Sequence, residues 1–150
     1  MAMGWKLVVD TADAAAQAEF WAAALEYEVE DPSTLIDQLL AAGHLTDEAV
    51  LERDGRRTFR GFAGIRHPDD PFDPTSGVGH GRRILFQDVP EHKTVKNRLH
   101  IDIHAQRGGL DALVERLEAL GATRVTEIDK GPAGHWWVML DPERNEFCAS

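Results

Sequence analysis

The stretch from Asn97 to Ala122, NRLHIDIHAQRGGLDALVERLEALGA, changes its hydrophobic period from two to about 3.6 within a few residues. Its first part predicts a strand, because apolar and polar side chains alternate along it. Its second part predicts a helix with one apolar stripe that ends at Gly121. We therefore expect the helix to cover the apolar face of a sheet. The apolar strand positions are Leu99, Ile101 and Ile103, the opposite ones are His100, Asp102 and His104, and the helix stripe is Leu110, Leu113, Val114, Leu117 and Leu120.

The same strand-helix pattern occurs near the N-terminus. A strand is predicted from Lys6 to Asp10, followed by a helix that Asp13 or Thr11 caps. Because Lys6 precedes His100 by 94 residues, the two patterns indicate a tandem duplication of one module. Solenoid periods are shorter, at about 20–50 residues. The bulky positions of the first helix are Phe20, Trp21, Leu25 and Tyr27.

Composition limits the classes of protein that fit. A chain of 150 residues with 43% hydrophobic residues predicts a single domain over 1–150, with module one at about 4–90 and module two at about 97–150. The net charge of −10 argues against nucleic acid, and no stretch has the roughly 20 apolar residues that a membrane helix needs. The lone Cys148 and the lack of a signal-like N-terminus favour a cytoplasmic protein.

Module one contains an insertion at about 31–55 that module two lacks. Asp31 and Pro32 predict the start of a short amphipathic helix that Gly43 ends. The run from Thr46 predicts a further helical turn that ends near Gly55. Residues 67–82 are rich in proline and glycine and predict a loop. At the C-terminus, 135–140 and 146–149 predict two strands joined by an Asp-Pro turn.

Three segments of this sequence are similar to the glyoxalase-like branch of the vicinal oxygen chelate superfamily: Phe86 to Pro90, Lys96 to Asp102, and Asp141 to Cys148. The resemblance covers nearly the whole chain. It implies an α+β fold of two tandem βαβββ modules whose curved mixed sheets enclose a central cavity, with the helices on the outer faces. It also implies either a metal-dependent enzyme or a metal-free binding protein of the bleomycin-resistance type, as a monomer or a homodimer.

Metal-dependent members of this superfamily hold one divalent ion with ligands from the first and last strands of each module. By that resemblance His100 matches one ligand and Gln87 matches another. Lys6 falls where a further ligand is expected, and a charged lysine has no lone pair to offer. Cys148 falls at the terminal carboxylate position, where Glu146 can substitute after a slip of two residues. The set of ligands therefore looks incomplete for a hard divalent ion.

These residues leave two hypotheses. One is a metal-free protein that binds a small organic molecule, and the other is a metal-dependent lyase or isomerase of glyoxalase type that acts beside a carbonyl. The expected ligand is small, anionic and partly aromatic, because a tryptophan can stack on a ring and a cation can offset an acidic group. A strand histidine can equally be a hydrogen-bonded structural residue, and paired tryptophans can belong to a core. The candidate ligand-binding residues are His100, Asp102, Lys6, Trp136, Trp137 and Arg98, and the candidate metal ligands are His100, Gln87 and Glu146.

Overall fold

The computed structural model describes residues 1–106 and 109–150. This part of the chain divides into two compact units, Met1–Pro90 and Glu91–Ser150. Two short 3₁₀ turns, Asp47–Ala49 and Gly131–Ala133, precede β3 and β9. In chain order the helices and strands are β1 (Leu7–Thr11), α1 (Ala14–Leu25), β2 (Glu28–Val29), α2 (Ser33–Ala41), β3 (Val50–Arg53), β4 (Arg56–Phe59), β5 (Phe62–Arg66), β6 (Arg83–Asp88), β7 (Asp102–Ile103), α3 (Gly109–Ala119), β8 (Thr123–Asp129), β9 (His135–Leu140) and β10 (Glu146–Ala149).

The first unit is built on a four-stranded sheet in the order β1-β6-β5-β2. Strands β1 and β6 run parallel, and the remaining pairs are antiparallel. The Asp13 side chain caps α1 by accepting a hydrogen bond of 2.9 Å from the Ala16 N–H, as predicted. Helix α1 packs on β5 and β6, and its buried residues include Phe20 and Trp21. One face of the sheet thus forms the core of the unit with α1.

The insertion follows β2 and contains a helix and a hairpin. The predicted first helix is present as α2, whose Ile36 is fully buried. The predicted second helical turn is wrong beyond its first residues, because only Asp47–Ala49 is helical and the chain then forms the antiparallel strands β3 and β4. Two residues with positive φ, Asp54 and Gly55, make the turn between these strands. Gly55 therefore marks a hairpin turn rather than the end of a helix.

The second unit repeats the topology of the first. Its strands are ordered β7-β10-β9-β8. In both four-stranded sheets the strand that comes first in the chain pairs in parallel with the strand that comes last. The other two strands follow in reverse chain order. Helix α3 buries Leu113, Val114 and Leu117. The sheet contributes buried residues to this core, namely Ile103, Met139, Phe147 and Ala149. The predicted α+β class with two βαβββ modules is confirmed, and the enclosure of a cavity by the two sheets stays a prediction.

The first strand of the second unit is shorter than the sequence predicts. Only Asp102–Ile103 forms β7, and Leu99 is 81% exposed instead of buried against the helix. The reason is that Cys148 pairs with Asp102, and β10 begins only two residues earlier, at Glu146. Residues before position 100 consequently have no β10 residue opposite them. The expected burial of Leu120 is also wrong, because it is 37% exposed just beyond the end of α3.

The turn between β9 and β10 follows the predicted Asp-Pro pattern. The Asp141 side chain is 3% exposed and accepts hydrogen bonds of 2.9 Å from the backbone N–H groups of Glu143 and Asn145. These bonds fix the start of β10, which carries residues of the candidate site. Among the helices in the described residues, none is long and apolar enough to cross a membrane.

Candidate functional site

The sheet of the second unit has a face opposite α3 that carries several candidate residues. Cys148 lies opposite Val138 on β9 and opposite Asp102 on β7. Because directly paired residues share a face, and residues two apart along a strand do as well, the register puts these side chains on one side of the sheet. We call this side the His100 face. Its positions are Asp102, Trp136, Val138, Glu146 and Cys148, with His100 beside them.

Three side chains with metal-binding or proton-binding atoms meet on the His100 face. His100 Nδ1 lies 3.0 Å from Asp102 Oδ1. One ligand atom each of His100, Asp102 and Cys148 lie within 4.8 Å of one another. The His100 and Asp102 side chains are 43% and 48% exposed, so water and small solutes reach them. Of the residues that the structure describes, these are the ones that form a His/Cys/Asp/Glu group of this kind.

The thiol of Cys148 is the member of this group that sequence reasoning undervalued. Burial and, after it, the neighbouring Asp102 carboxylate raise the pKa of Cys148, while Lys96 opposes the shift. The cysteine is therefore a protonated thiol at neutral pH and a poor nucleophile on its own. The structure places this thiol half-buried beside a carboxylate and an imidazole. The signal was available in the resemblance, which puts Cys148 at the position of the terminal ligand.

Glu146 is on the His100 face, but other partners engage its carboxylate. Its Oε2 lies 3.1 Å from Lys93 Nζ and accepts a hydrogen bond of 3.0 Å from the Asn97 N–H. Burial by itself raises the pKa of Glu146, but the backbone N–H groups of Asn97 and Glu146 and the Lys93 ammonium together lower it to about 2. Glu146, which the sequence offers as a metal ligand, therefore anchors the segment before β7. It does not belong to the cluster of His100, Asp102 and Cys148, which we call the His100 group.

Two other predicted residues lie in the first unit. The Gln87 amide donates a hydrogen bond of 2.8 Å to Asp10 Oδ1 across the parallel β1–β6 pair. Lys6 is exposed, directly before β1. Arg98, in the second unit, is exposed in the segment before β7. Their roles as metal ligand and anion-binding groups stay predictions.

The structure separates the two neighbouring tryptophans. Trp136 shares the His100 face with Val138, and Lys130 Nζ lies 5.8 Å from its ring centroid. Trp137 pairs with Ala149 and lies on the opposite face, where the Arg124 guanidinium is 5.2 Å from its ring centroid. Of the two, only Trp136 is on the same face as the histidine.

The sequence profile of the Glyoxalase-like domain matches residues 6–150. The chain therefore belongs to the glyoxalase-like domain family. A comparison with proteins of curated function found no match.

Several solved structures share the fold of this chain. The fosfomycin resistance protein FosX from Mesorhizobium loti is 11% identical with a TM-score of 0.59, and the match covers 99% of this chain and 91% of FosX. A glyoxalase/bleomycin resistance protein/dioxygenase family enzyme from Burkholderia phytofirmans is 18% identical with a TM-score of 0.55, over 96% of this chain and 94% of that one. A mutant FosX from Listeria monocytogenes, complexed with Mn(II) and 1S,2S-dihydroxypropylphosphonic acid, is 13% identical with a TM-score of 0.57, over 99% and 90% of the two chains. At these identities the similarity shows the fold.

The fold family implies a divalent metal ion, and the donor atoms of this chain decide which kind of ion fits. A hard ion such as Mn²⁺ favours carboxylate, carbonyl and water oxygens. The group on the His100 face offers one imidazole, one carboxylate and one thiol. The carboxylate of Glu146 is held by Lys93 and Asn97. The donor set therefore does not fit a hard ion.

Proposed function

We propose that this glyoxalase-like protein binds a small, partly aromatic organic anion on the His100 face of its second unit. The observation that carries the proposal is the common face of Trp136 and the His100 group. An aromatic ring offers stacking area, and the imidazole and thiol offer hydrogen bonds for orientation. Such a combination of an apolar surface with a few polar groups is the usual form of a small-molecule site.

Positive charge near this face supports an anionic ligand. Lys130 lies 5.8 Å from the centroid of the Trp136 ring. Lys96 is close enough to Cys148 to affect the pKa of its thiol. Arg98 is exposed two residues before His100 and completes the set of cations that we propose to offset a carboxylate or phosphonate.

Calorimetric titration with a matched pair of probes, benzoate and benzamide, tests the proposal in the presence of a chelator. The two probes share a ring and differ in charge. We expect benzoate to bind more tightly, and we expect the variant Arg98→Met to reduce that preference. Trp136→Leu should weaken both probes, whereas Trp137→Leu, on the other face, is the matched control.

Equal affinity for both probes in the parent would remove the electrostatic part of the proposal. Equal effects of the two tryptophan variants would show that the probes do not bind on the His100 face. Thermal unfolding of each variant shows whether it is folded before titration, and a rise in melting temperature with a probe reports binding by mass action.

A second candidate function is a metal-dependent lyase or isomerase of glyoxalase type. It is favoured by one observation, the approach of three donor atoms to within 4.8 Å. A bound metal ion would supply Lewis-acid polarisation of a substrate carbonyl. In that case His100, Asp102 and Cys148 would hold the ion. Metal analysis of the purified protein separates the two candidates.

A further inference from the structure

We propose that a cleft in the first unit, between α1 and the β3–β4 hairpin, binds a small aliphatic phosphate monoester. The cleft has a volume of about 500 Å³ and is open to solvent. All of its lining residues belong to the first unit, whereas the His100 face belongs to the second. The cleft is therefore a separate site, and the proposal does not rest on ligand binding at the His100 face.

The hairpin directs two arginines toward this cleft from neighbouring strands. Arg53 on β3 and Arg56 on β4 are directly paired, on either side of the turn at Asp54 and Gly55. Directly paired residues leave a sheet on the same side, and so does Thr58, which is two residues further along β4. Arg53, Arg56 and Thr58 all line the cleft. Two guanidinium groups and a hydroxyl thus share one side of the hairpin.

The charge of this arginine pair is only half neutralised within the described residues. Like charges directly opposite each other on neighbouring strands repel. Glu19 of α1 offsets one of them, because its two carboxylate oxygens lie 2.6 and 2.9 Å from Arg53 Nε and Nη2. Arg56 is exposed and forms no ion pair within 1–106 and 109–150. An anion in the cleft completes the neutralisation.

The other acidic groups around the cleft do not supply this charge. The Asp31 carboxylate accepts hydrogen bonds of 3.0 and 2.5 Å from the N–H and the hydroxyl of Ser33. Glu30 is buried, and both of its oxygens accept from Arg83. Asp54 is exposed at the hairpin turn and makes no ion pair in the described part of the chain. The Arg56 guanidinium is therefore available to a ligand.

The donor groups and the walls of the cleft together define the ligand. The planar fork of a guanidinium matches the oxygens of a phosphate, and a phosphate monoester carries nearly two negative charges at neutral pH. The opposite wall consists of small apolar side chains, namely Ala15 of α1, Val29 of β2 and Ala63 of β5. These side chains offer contact to a short alkyl group and no ring for stacking. A phosphate monoester of a short aliphatic alcohol fits both halves.

Calorimetric titration of the full-length protein with monobutyl phosphate tests the site, at low ionic strength and with a chelator present. We expect one equivalent to bind per chain. Inorganic phosphate should bind more weakly, because it has no alkyl group to contact the apolar wall. Addition of NaCl to about 1 M should weaken both, since the Debye length then falls to about 3 Å.

Two substitutions should change the affinity in opposite directions. Arg56→Met should weaken binding of monobutyl phosphate by about tenfold, and Arg56→Lys should restore only part of it, because an ammonium keeps the charge without the fork. Glu19→Gln should tighten binding by roughly two- to fivefold, because it releases Arg53 from an exposed ion pair that competes with the ligand.

Each substitution has a matched control. Arg144→Met removes an exposed arginine of the second unit that, in the described residues, also lacks an ion pair. Glu52→Gln removes an exposed carboxylate from the opposite side of the same hairpin, where Glu52 pairs with Arg57. Both controls should leave the affinity unchanged. Trp136→Leu should also have no effect, so the cleft and the His100 face can fail independently.

Absence of monobutyl phosphate binding to the folded parent protein would overturn the proposal. Equal losses in Arg56→Met and Arg144→Met would overturn the assignment to the cleft, and a loss of affinity in Glu19→Gln would overturn the competition for Arg53. Thermal unfolding establishes that each variant is folded. If Arg56→Met does not fold, Arg56→Lys and Glu19→Gln decide the question, because their expected effects have opposite signs.

Discussion

Replacement of Glu146 by glutamine should destabilise the protein at neutral pH and remove part of its acid sensitivity. The carboxylate contacts the Lys93 ammonium at 3.1 Å and accepts from the Asn97 N–H at 3.0 Å, with 21% of the Glu146 side chain exposed. Glutamine keeps the shape of the side chain and loses the charge. The change therefore isolates the charge-assisted contacts that tie the segment before β7 to the start of β10.

The magnitude follows from the pKa. The folded protein lowers the pKa of Glu146 from 4.5 to about 2. A difference of that size between the folded and unfolded pKa corresponds to about 3 kcal/mol, and hydrogen bonds to charged groups measured by mutation contribute about 1.5–3 kcal/mol. Because water reaches part of the side chain, we expect a loss on the order of 1–3 kcal/mol in the free energy of unfolding for Glu146→Gln.

The pH dependence has a definite sign. Since the folded pKa lies below the unfolded one, the contribution is fully present above about pH 4.5 and is lost as the pH falls toward about 2. Urea unfolding at pH 7, 4 and 3, followed by tryptophan fluorescence, measures the difference between parent and variant. That difference should shrink as the pH falls. Glu91→Gln, at an exposed position of the same unit, is the control.

A stability loss for Glu146→Gln that is the same at pH 7 and pH 3 would refute the linkage argument. A loss no larger than that of Glu91→Gln would refute the anchoring contact itself. Lys93→Met in the Glu146→Gln background should then cost less than in the parent, because the ammonium has already lost its partner.

The remaining predictions concern core packing, a helix cap and a buried ion pair. Leu117→Ala should lower the free energy of unfolding by about 2–5 kcal/mol, since Leu117 is fully buried, whereas Leu99→Ala, at a position 81% exposed, should change it by less than about 0.5 kcal/mol in the same denaturation assay. Asp13→Ala should lower the stability by about 1 kcal/mol, as reported by the melting temperature, because it removes the α1 cap. Asp13→Asn should keep most of that stability, because asparagine also caps helices. Glu30→Gln should lower the free energy of unfolding by about 3–5 kcal/mol, because Glu30 is buried and both of its carboxylate oxygens accept hydrogen bonds from Arg83, at 2.6 and 2.7 Å. A loss near zero would contradict this prediction. The double replacement of Glu30 by leucine and Arg83 by methionine should recover stability.

The sequence predicts most of the second unit because its signals are local. The apolar period of α3, the glycine beyond its end and the Asp141 turn each depend on residues close together in the chain. The insertion shows the limit of this reasoning. Thr46 to Glu48 reads as a helix start, but the strands β3 and β4 form because two residues with positive φ reverse the chain and pair them. Hairpin pairing competes with a short helix in a way that periodicity does not report.

The candidate site divides in the same way. The period of two by itself puts His100 and Asp102 on one side of a strand, and their 3.0 Å contact agrees with it. Residue 148 joins them only because β10 pairs in parallel with β7, a contact across 46 residues that local pattern does not encode. Likewise, the sequence offers the Glu146 carboxylate as a candidate metal ligand. In the fold this carboxylate contacts the Lys93 ammonium and accepts a hydrogen bond from the Asn97 N–H.

What the sequence by itself determined is the repeated strand-helix module, the helix stripe and the side of the strand on which His100 lies, since each follows from backbone periodicity and turn chemistry. The class of the fold was implied by the resemblance to the glyoxalase-like branch. What only the tertiary structure decided is which strand neighbours which, how long β7 is, and which of Trp136 and Trp137 shares the face of His100. Strand register is set by the summed packing of side chains distant in the chain, and a shift of one residue moves every side chain to the opposite face. The strand register therefore decides which donor atoms come together at the site.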